Sequence, residues 1–211
     1  MNSFMKKIFI ASKNKGKIEE IRSYLAGFGI EIFSLLDSHE LPEVEETGAT
    51  FEENAHLKAK AIFDIVKIPV LADDSGLETD SLGGSPGIYS ARFSGEGATD
   101  ERNNLKLLKE LENVPDDKRT ARFVCVLALY DGINSRYFEG TCEGKIAFAS
   151  AGTNGFGYDP LFIPAGYDQT FGELGSAVKT RISHRAKALR SLKKFLDLEK
   201  SLVHDTKGRN K

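Results

Sequence analysis

The sequence predicts an α/β domain with a sheet at its centre. Three observations carry this reading. Residues 7–35 run strand, loop, helix, strand, the order of a crossover unit. A capped amphipathic helix over 50–67 leads directly into another apolar strand. Residues 123–130 form a continuous apolar run, as in a strand buried on both faces.

In chain order, Lys7-Ile8-Phe9-Ile10-Ala11 is the first short strand and Ser12-Lys13-Asn14-Lys15-Gly16 the loop after it. Ile18, Ile21 and Leu25 fall at helical spacing, and Gly27 and Gly29 mark the helix end. Residues 31–35 form the next strand. Thr50 and Glu53 make a capping box, followed by a face of Phe51, Ala55, Ala59, Ile62, Phe63 and Val66. Pro69 stops that helix. Val70-Leu71-Ala72 is a buried strand expected to end at Asp73-Asp74-Ser75-Gly76, placing carboxylates where open α/β sheets bind ligands. Residues 82–97 are rich in Gly, Ser and Pro and read as a loop. Thr99 caps a helix whose expected stripe is Leu105, Leu108 and Leu111. Asp131-Gly132 turns the 123–130 strand into another over 136–140. Residues 152–164 are a second glycine-rich loop. The last helix starts near Ser183, with Ala186, Leu189, Leu192 and Leu196 facing the core. We expect one domain over 1–198 and a polar, frayed tail over 199–211.

Composition excludes several classes. With 40% hydrophobic and 28% charged residues the chain is globular rather than disordered. No stretch approaches the ~18 apolar residues of a spanning helix, so no membrane partner is expected. Cys125 and Cys142 are too few for a disulfide framework or a four-ligand zinc site. The N-terminus lacks an apolar segment long enough for a signal peptide, so a reducing cytoplasm is expected, with Met1 to Phe4 as a frayed extension. There is no phosphate-binding P-loop, dinucleotide fingerprint, zincin motif or nucleophile elbow, and the four histidines (His39, His56, His184, His204) lack metal-ligand spacing.

The net charge of -2 hides an asymmetry. Residues 6–17 hold five lysines and no acid; residues 179–194 hold seven Lys/Arg, His184 and no acid. Between them, residues 40–53 hold six glutamates without Lys or Arg, and Asp73, Asp74, Glu78 and Asp80 follow. Brought together by a fold, these segments make a polyanion site beside a divalent-cation site; left apart, they are solvated faces.

Four constellations carry candidate chemistry. The loop Ser12-Lys13-Asn14-Lys15-Gly16-Lys17 enters a helix, where backbone N–H groups and lysines suit phosphate oxygens. Asp73-Asp74-Ser75-Gly76, with Glu45-Glu46 upstream, offers the hard oxygens that Mg²⁺ prefers. Side chains alternate along a strand, so one aspartate is expected to reach a metal and its neighbour not. In Gly155-Phe156-Gly157-Tyr158-Asp159-Pro160, Phe156 can stack on a flat ring and Asp159 can accept from a ring N–H. Lys179 with Ser183-His184-Arg185 supplies donors that favour a ring carbonyl over a ring amino group. Each segment alone is equally a surface turn or a basic helix end.

Taken together and in order, these segments resemble a known family. Ser12-x-Asn14-x-x-Lys17, Glu46-Thr47-Gly48 with Phe51-x-Glu53-Asn54-Ala55, Ala72-Asp73-Asp74-Ser75-Gly76-Leu77, Gly83-Gly84-x-Pro86-Gly87-Ile88-Tyr89-Ser90-Ala91-Arg92, Gly155-Phe156-Gly157-Tyr158-Asp159-Pro160 and Ile182-Ser183-His184-Arg185 span nearly the whole chain. The chain is similar to the inosine/xanthosine triphosphate pyrophosphatases, the HAM1-like family. The resemblance implies an elongated mixed-sheet α/β domain of two lobes with a central cleft, acting as a homodimer. It implies Mg²⁺-dependent hydrolysis of ITP, dITP and XTP to the monophosphate and pyrophosphate, with the purine nucleoside triphosphate as partner. Ser12, Lys13, Asn14, Lys15, Gly16 and Lys17 would hold phosphates. Asp74, or Asp73 beside it, would act on the attacking water. Asp74 and Glu46 would hold the metal, with Glu45 the weaker candidate. Ser75, Phe156, Gly157, Tyr158, Asp159, Lys179, His184 and Arg185 would contact the nucleotide, Arg185 pairing with the 6-oxo group.

Three other readings are open to the sequence. A related pyrophosphatase would take pyrimidine or methylated nucleotides, against the Phe156–Asp159 and Ser183–Arg185 patterns. A nucleic-acid module would use the basic 179–194 segment, against the acidic middle and the net charge. A nucleotide sensor would bind without turnover, against the Asp73-Asp74 pair.

Overall fold

The computed structural model describes residues 5–37, 41–42 and 44–208. Residues 1–4, Ser38, His39, Glu40, Glu43 and residues 209–211 lie outside the described residues. The architecture is a six-stranded mixed sheet carrying helices on both faces. The strands are β1 (Lys7–Ile10), β2 (Glu31–Ser34), β3 (Val70–Thr79), β4 (Thr120–Tyr130), β5 (Ser135–Ile146) and β6 (Phe162–Pro164), in spatial order β2-β1-β3-β4-β5-β6. The helices are α1 (Lys15–Leu25), α2 (Phe51–Val66), α3 (Asp100–Glu110), α4 (Ser176–Ile182) and α5 (His184–Gly208). Among the described residues no helix is long and apolar enough to cross a membrane.

The expected crossover unit is present: β1 pairs in parallel with β2 and with β3. From β3 onward every pairing is antiparallel. Strands β3, β4 and β5 are long and run through two lobes. In one lobe, Leu71, Leu127 and Leu129 pack under α1 and α5, while Val70, Ala72, Val126 and Ala128 pack under α2 on the opposite face. In the other lobe, Leu77, Phe123, Ile146 and Phe162 pack with Leu107 and Leu111 of the α3 segment.

β3 does not end at Asp73-Asp74, as the sequence reading expected; it runs through them to Thr79. Its partner β4 continues the ladder, with Asp73 opposite Leu127 and Asp74 opposite Val126. The strand that does stop is β1, whose pairing with β3 ends at Ile10 and Leu71. The cleft opens there, along the edge of β3 that β1 no longer covers.

Local signals set most of the helix starts. Asn14 Oδ1 accepts from the Lys17 amide, Thr50 Oγ1 from Glu53 N and Thr99 Oγ1 from Arg102 N. The capping box is displaced by one residue, because Glu53 reaches back to the Ala49 amide rather than to Thr50. α2 closes on Lys67 in the left-handed region, two residues before Pro69. The hairpin after β4 is a four-residue loop in which Asp131 Oδ1 accepts from Ile133 N and Asn134 N.

Some details differ from the expectation. Of the expected α3 stripe, Leu108 and Leu111 pack into the core, but Leu105 is 61% exposed, and Asn103, Asn104 and Leu107 are buried. Two buried amides shift the phase that apolar counting alone would set. A short 3₁₀ turn over Asp80–Leu82 leads into the 82–97 loop, which contains a second over Gly87–Arg92. α4 precedes the last helix, and α5 runs on to Gly208 rather than stopping before 199.

Arg119 ties the second lobe together. It is 1% exposed and donates to the Leu111, Ile146 and Ala147 carbonyls at 2.6, 2.8 and 2.8 Å. Arg119→Ala leaves three carbonyls without that donor, and an unmet buried polar group costs about 1–3 kcal/mol. The expected loss is about 3 kcal/mol or more, read as a lower urea midpoint at unchanged slope.

Candidate active site

The site is assembled where β1 ends. Ala11 leads into Ser12, whose Oγ accepts from the Asn14 amide, and Asn14 in turn caps α1. The first turn of α1 therefore opens on the cleft with Lys17 directed inward and Lys13 and Lys15 exposed. Gly16 is required by a close approach: a Cβ there would lie 2.6 Å from the Phe156 ring.

Asp73 and Asp74 point to opposite faces of the sheet, as strand alternation demands. Asp73 faces α1 and α5. Its Oδ1 receives Lys17 Nζ at 2.6 Å and Ser75 Oγ at 3.0 Å; its Oδ2 receives Arg185 Nε at 2.7 Å and the Cys125 thiol at 3.4 Å. Burial alone would raise its pKa, but Arg185 and Lys17 hold the carboxyl well below the usual range. Both Asp73 oxygens are thus engaged, and its surroundings favour the ionised form. Asp74, on the opposite face, is not engaged in this way.

Asp74 faces α2, where Lys58 reaches across. Lys58 Nζ donates to Asp74 Oδ1 at 2.7 Å, Glu46 Oε1 at 2.8 Å and the Asp73 carbonyl at 2.9 Å. That carbonyl projects toward the side β1 has vacated, so the lysine replaces a strand partner. Glu46 also receives Arg92 at 2.6 Å. Burial pulls the Glu46 pKa up, yet Lys58 and Arg92 bring it down to about 2. Burial, with Glu46 as a like-charged neighbour, raises Asp74 despite the pull of Lys58. Asp74 Oδ2 has no protein partner among the described residues. The Asp74 and Glu46 carboxylates therefore share one cation, and both are hard oxygen donors.

Two cavities meet at Asn14, Lys17 and Ala91. One, of about 280 Å³, holds the Ser12–Lys17 loop, Glu46, Lys58 and Asp73. The other, of about 110 Å³, is walled by Phe123, Phe156, Tyr158, Asp159, Lys179 and His184, among others. Gly155 has φ +79 and a Cβ there would overlap the Asp159 carboxylate, so only glycine fits the turn. Asp159 Oδ2 accepts from Phe156 N at 2.8 Å and Lys179 Nζ at 2.6 Å, leaving Oδ1 without a partner among the described residues. Burial raises Asp159 against the pull of Lys179. Lys179 Nζ also lies 4.2 Å from the Phe156 ring centroid. Ser183 ends α4 and its Oγ caps α5 through Ala186 N, which turns Lys179, His184 and Arg185 onto one cavity. His184 stacks on Phe123 at 4.7 Å and 13°, and its buried Nδ1 has no partner. Burial and the Arg185 charge keep it neutral.

Arg185 is tied into the protein as well as lining the cavity. Its Nε binds Asp73, one terminal nitrogen binds Glu20 at 2.7 Å and the other binds Ser75 Oγ at 3.0 Å. It lines the cavity, but three of its five donors are spent on protein.

Against known proteins, residues 8–195 match the profile of the Ham1 family. The chain belongs to the Ham1 family. It is 52% identical over 194 residues to the dITP/XTP pyrophosphatase of Oceanobacillus iheyensis, covering 91% of this chain and 98% of that one. It is 52% identical over 189 residues to that of Geobacillus kaustophilus, covering 89% and 93%. The Staphylococcus aureus Ham1 protein superposes with a TM-score of 0.83 at 43% identity, covering 92% of this chain and 100% of that one. The Mycobacterium abscessus dITP/XTP pyrophosphatase does so with 0.73 at 43%, covering 88% and 98%. The Ham1 architecture, an α/β unit of two lobes around a cleft, is the one expected.

Within this Ham1-family fold Ser12, Lys13, Asn14, Lys17, Glu46 and Asp73 line the larger cavity, and Ser75, Phe156, Gly157, Tyr158, Asp159, Lys179, His184 and Arg185 line the other. Gly16 lines a neighbouring groove beside Phe156, Lys15 is exposed, and Asp74 is joined to the larger cavity through Lys58. Sequence reasoning passed over Lys58, Glu20 and Cys125. Lys58 carried a signal: it lies seven residues after Phe51, in phase with the buried stripe of α2. A lysine in a core phase implies a buried acid. Glu20 and Cys125 had no such mark.

Asp73→Asn leaves Lys17 and Arg185 facing a neutral group. The expected cost at pH 7 is about 3–5 kcal/mol, measured by urea unfolding. His184 gives a pH signature. Its folded pKa is depressed, so only the unfolded chain takes up its proton just below pH ~6.5. Stability is therefore held above that pH and falls below it, by up to about 1.4 kcal/mol per unit. His184→Phe should flatten the wild-type decline between pH 7 and 5; parallel declines would place the proton uptake elsewhere.

Proposed function

We propose that this chain hydrolyses ITP, dITP and XTP to the nucleoside monophosphate and pyrophosphate, with Mg²⁺. One observation carries the reading: a ring-sized cavity joins a lysine-lined cleft, and Lys58 in that cleft bridges the Glu46 and Asp74 carboxylates. The names of the Ham1 relatives support the same chemistry.

The ring cavity favours a 6-oxopurine. Asp159 Oδ1 is an acceptor without a partner among the described residues, suited to the N1–H of hypoxanthine or xanthine. Adenine presents a lone pair at N1 and an amino group at C6, so it meets the carboxylate acceptor-to-acceptor and leaves the Lys179 side without a carbonyl. Unmet buried groups of this kind discriminate by orders of magnitude. Phe156 supplies the stacking face.

In the cleft, Lys17 and the first turn of α1 bind the phosphates. Asp74 Oδ2 orients a water for in-line attack on the α-phosphorus. A bond forms from the water oxygen to phosphorus, the bond from phosphorus to the bridging oxygen breaks, and the water proton passes to Asp74. Burial raises the Asp74 pKa in the direction that suits a proton acceptor. Lysines of the loop neutralise the departing pyrophosphate.

Asp74 and Glu46 fit Mg²⁺, which commonly takes one or two carboxylates together with phosphate oxygens. They already coordinate one cationic group, the Lys58 ammonium, so lysine and metal compete for the same oxygens. When bound, Mg²⁺ draws charge from the phosphate oxygens. The buried free thiols Cys125 and Cys142 suit the cytoplasm, where we place the reaction. The homodimer implied by the family resemblance is part of this proposal and is read by light scattering.

The deciding experiment incubates the protein with Mg²⁺ and ITP, XTP, ATP or GTP and identifies the products. IMP and pyrophosphate from ITP, with little from ATP, is the expected outcome; orthophosphate would move the attack to the terminal phosphorus and overturn the mechanism. Asp74→Asn should lower kcat by about 100-fold or more while ITP still binds.

A further inference from the structure

Helix α3 contributes nothing to the phosphate cleft, yet its first turns grip both walls of the ring cavity. Asp100 Oδ2 accepts from the Gly157 amide at 2.7 Å, and Asn104 Nδ2 donates to the Gly157 carbonyl at 3.0 Å. The two side chains lie four residues apart, on one face of the helix. Together they take the backbone donor and the backbone acceptor of a single residue. That residue sits between Phe156 and Tyr158, and its φ of +63 is one that glycine adopts at no steric cost.

Asn103, adjacent on the same helix, holds the opposite wall. Its Oδ1 accepts from Ser94 N at 2.8 Å and its Nδ2 donates to the Ser90 and Ala91 carbonyls at 3.3 and 3.2 Å. Tyr158 Oη closes the circuit by donating to the same Ser90 carbonyl at 2.8 Å. The helix itself is anchored at its far end by buried Leu107 and, just beyond it, by Leu111, whose carbonyl Arg119 holds. A rigidly seated helix thus fixes the spacing of the two walls.

We infer that Asp100 and Asn104 are positioning residues that clamp the Gly157 peptide and so set where Phe156 and Asp159 meet the purine ring. The inference rests on the nucleotide reading of that cavity. Asp100 and Gly157 are part of the cavity wall and Asn104 is not, so Asn104 acts only through the peptide it holds. A released Gly157 peptide frees Phe156 and Asp159 to move, and a shift of that kind weakens binding and selection more than it alters the phosphate chemistry.

The test combines hydrogen exchange with kinetics on Asp100→Ala, Asn104→Ala and their double variant. Leu105→Ala, exposed on the same helix, is the control. Exchange of the Gly157 amide should speed by about tenfold or more in Asp100→Ala, which loses a charge-assisted bond, and stay unchanged in Leu105→Ala. KM for ITP should rise about tenfold in each single variant with kcat within about threefold, and the preference for ITP over ATP should fall. The double variant should cost little more than either single one, because both act on one peptide. Asp100→Asn keeps an acceptor oxygen and should restore KM to within about twofold of wild type. Unchanged exchange at Gly157, or faster exchange with KM and selectivity intact, overturns the clamp. A wild type that releases no pyrophosphate from ITP overturns the nucleotide reading instead, and exchange at Gly157 then decides the clamp by itself.

Discussion

The Asp73 carboxylate is the constraint on which the site depends. It is 0% exposed at its side chain and receives two cations, Lys17 from α1 and Arg185 from α5. A buried anion of this kind is tolerable only when each oxygen is engaged, and removing a partner leaves an uncompensated charge. The three elements are therefore held in one arrangement: the first turn of α1, the middle of β3 and the start of α5. That arrangement turns a lysine-rich loop into the wall of a cleft. Charges alternate onward from Arg185 to Glu20, Lys179 and Asp159, so the two joined cavities share one charge network.

The neighbouring aspartate shows how strand geometry divides labour. Asp73 and Asp74 have the same chemistry and opposite directions, because successive side chains leave opposite faces of a sheet. One meets two cations, which favour its ionised form. The other meets Lys58 on α2 with Glu46 alongside, and burial shifts it toward protonation. The difference in chemical capability comes from which helix covers which face.

Some of this was legible in the residues. Period located α1, α2 and α5, and capping the starts of α2 and α3, since Thr50 and Thr99 act on amides three positions away. Ordered motifs pointed to the joined site, because ring stacking, phosphate binding and cation holding need particular residue types. The stripe of α3 was partly misread, because Asn103 and Asn104 are buried for their hydrogen bonds, which a count of apolar residues ignores. The extent of β3 was misread because acids suggested a strand end, whereas Lys17, Arg185 and Lys58 make them acceptable inside the ladder.

The sequence by itself determined the class of fold, the helix caps, the alternation of the two aspartates and the family pattern. These depend on neighbours within a few positions, or on residue types that a given chemistry cannot replace. Only the tertiary structure decided how the charges are paired. Arg185 lies 112 positions from Asp73 and binds it. Lys58 enters the acid pair because β1 stops short and leaves the Asp73 carbonyl uncovered. Pairing energy depends on distance and burial, and both are set by how distant segments pack.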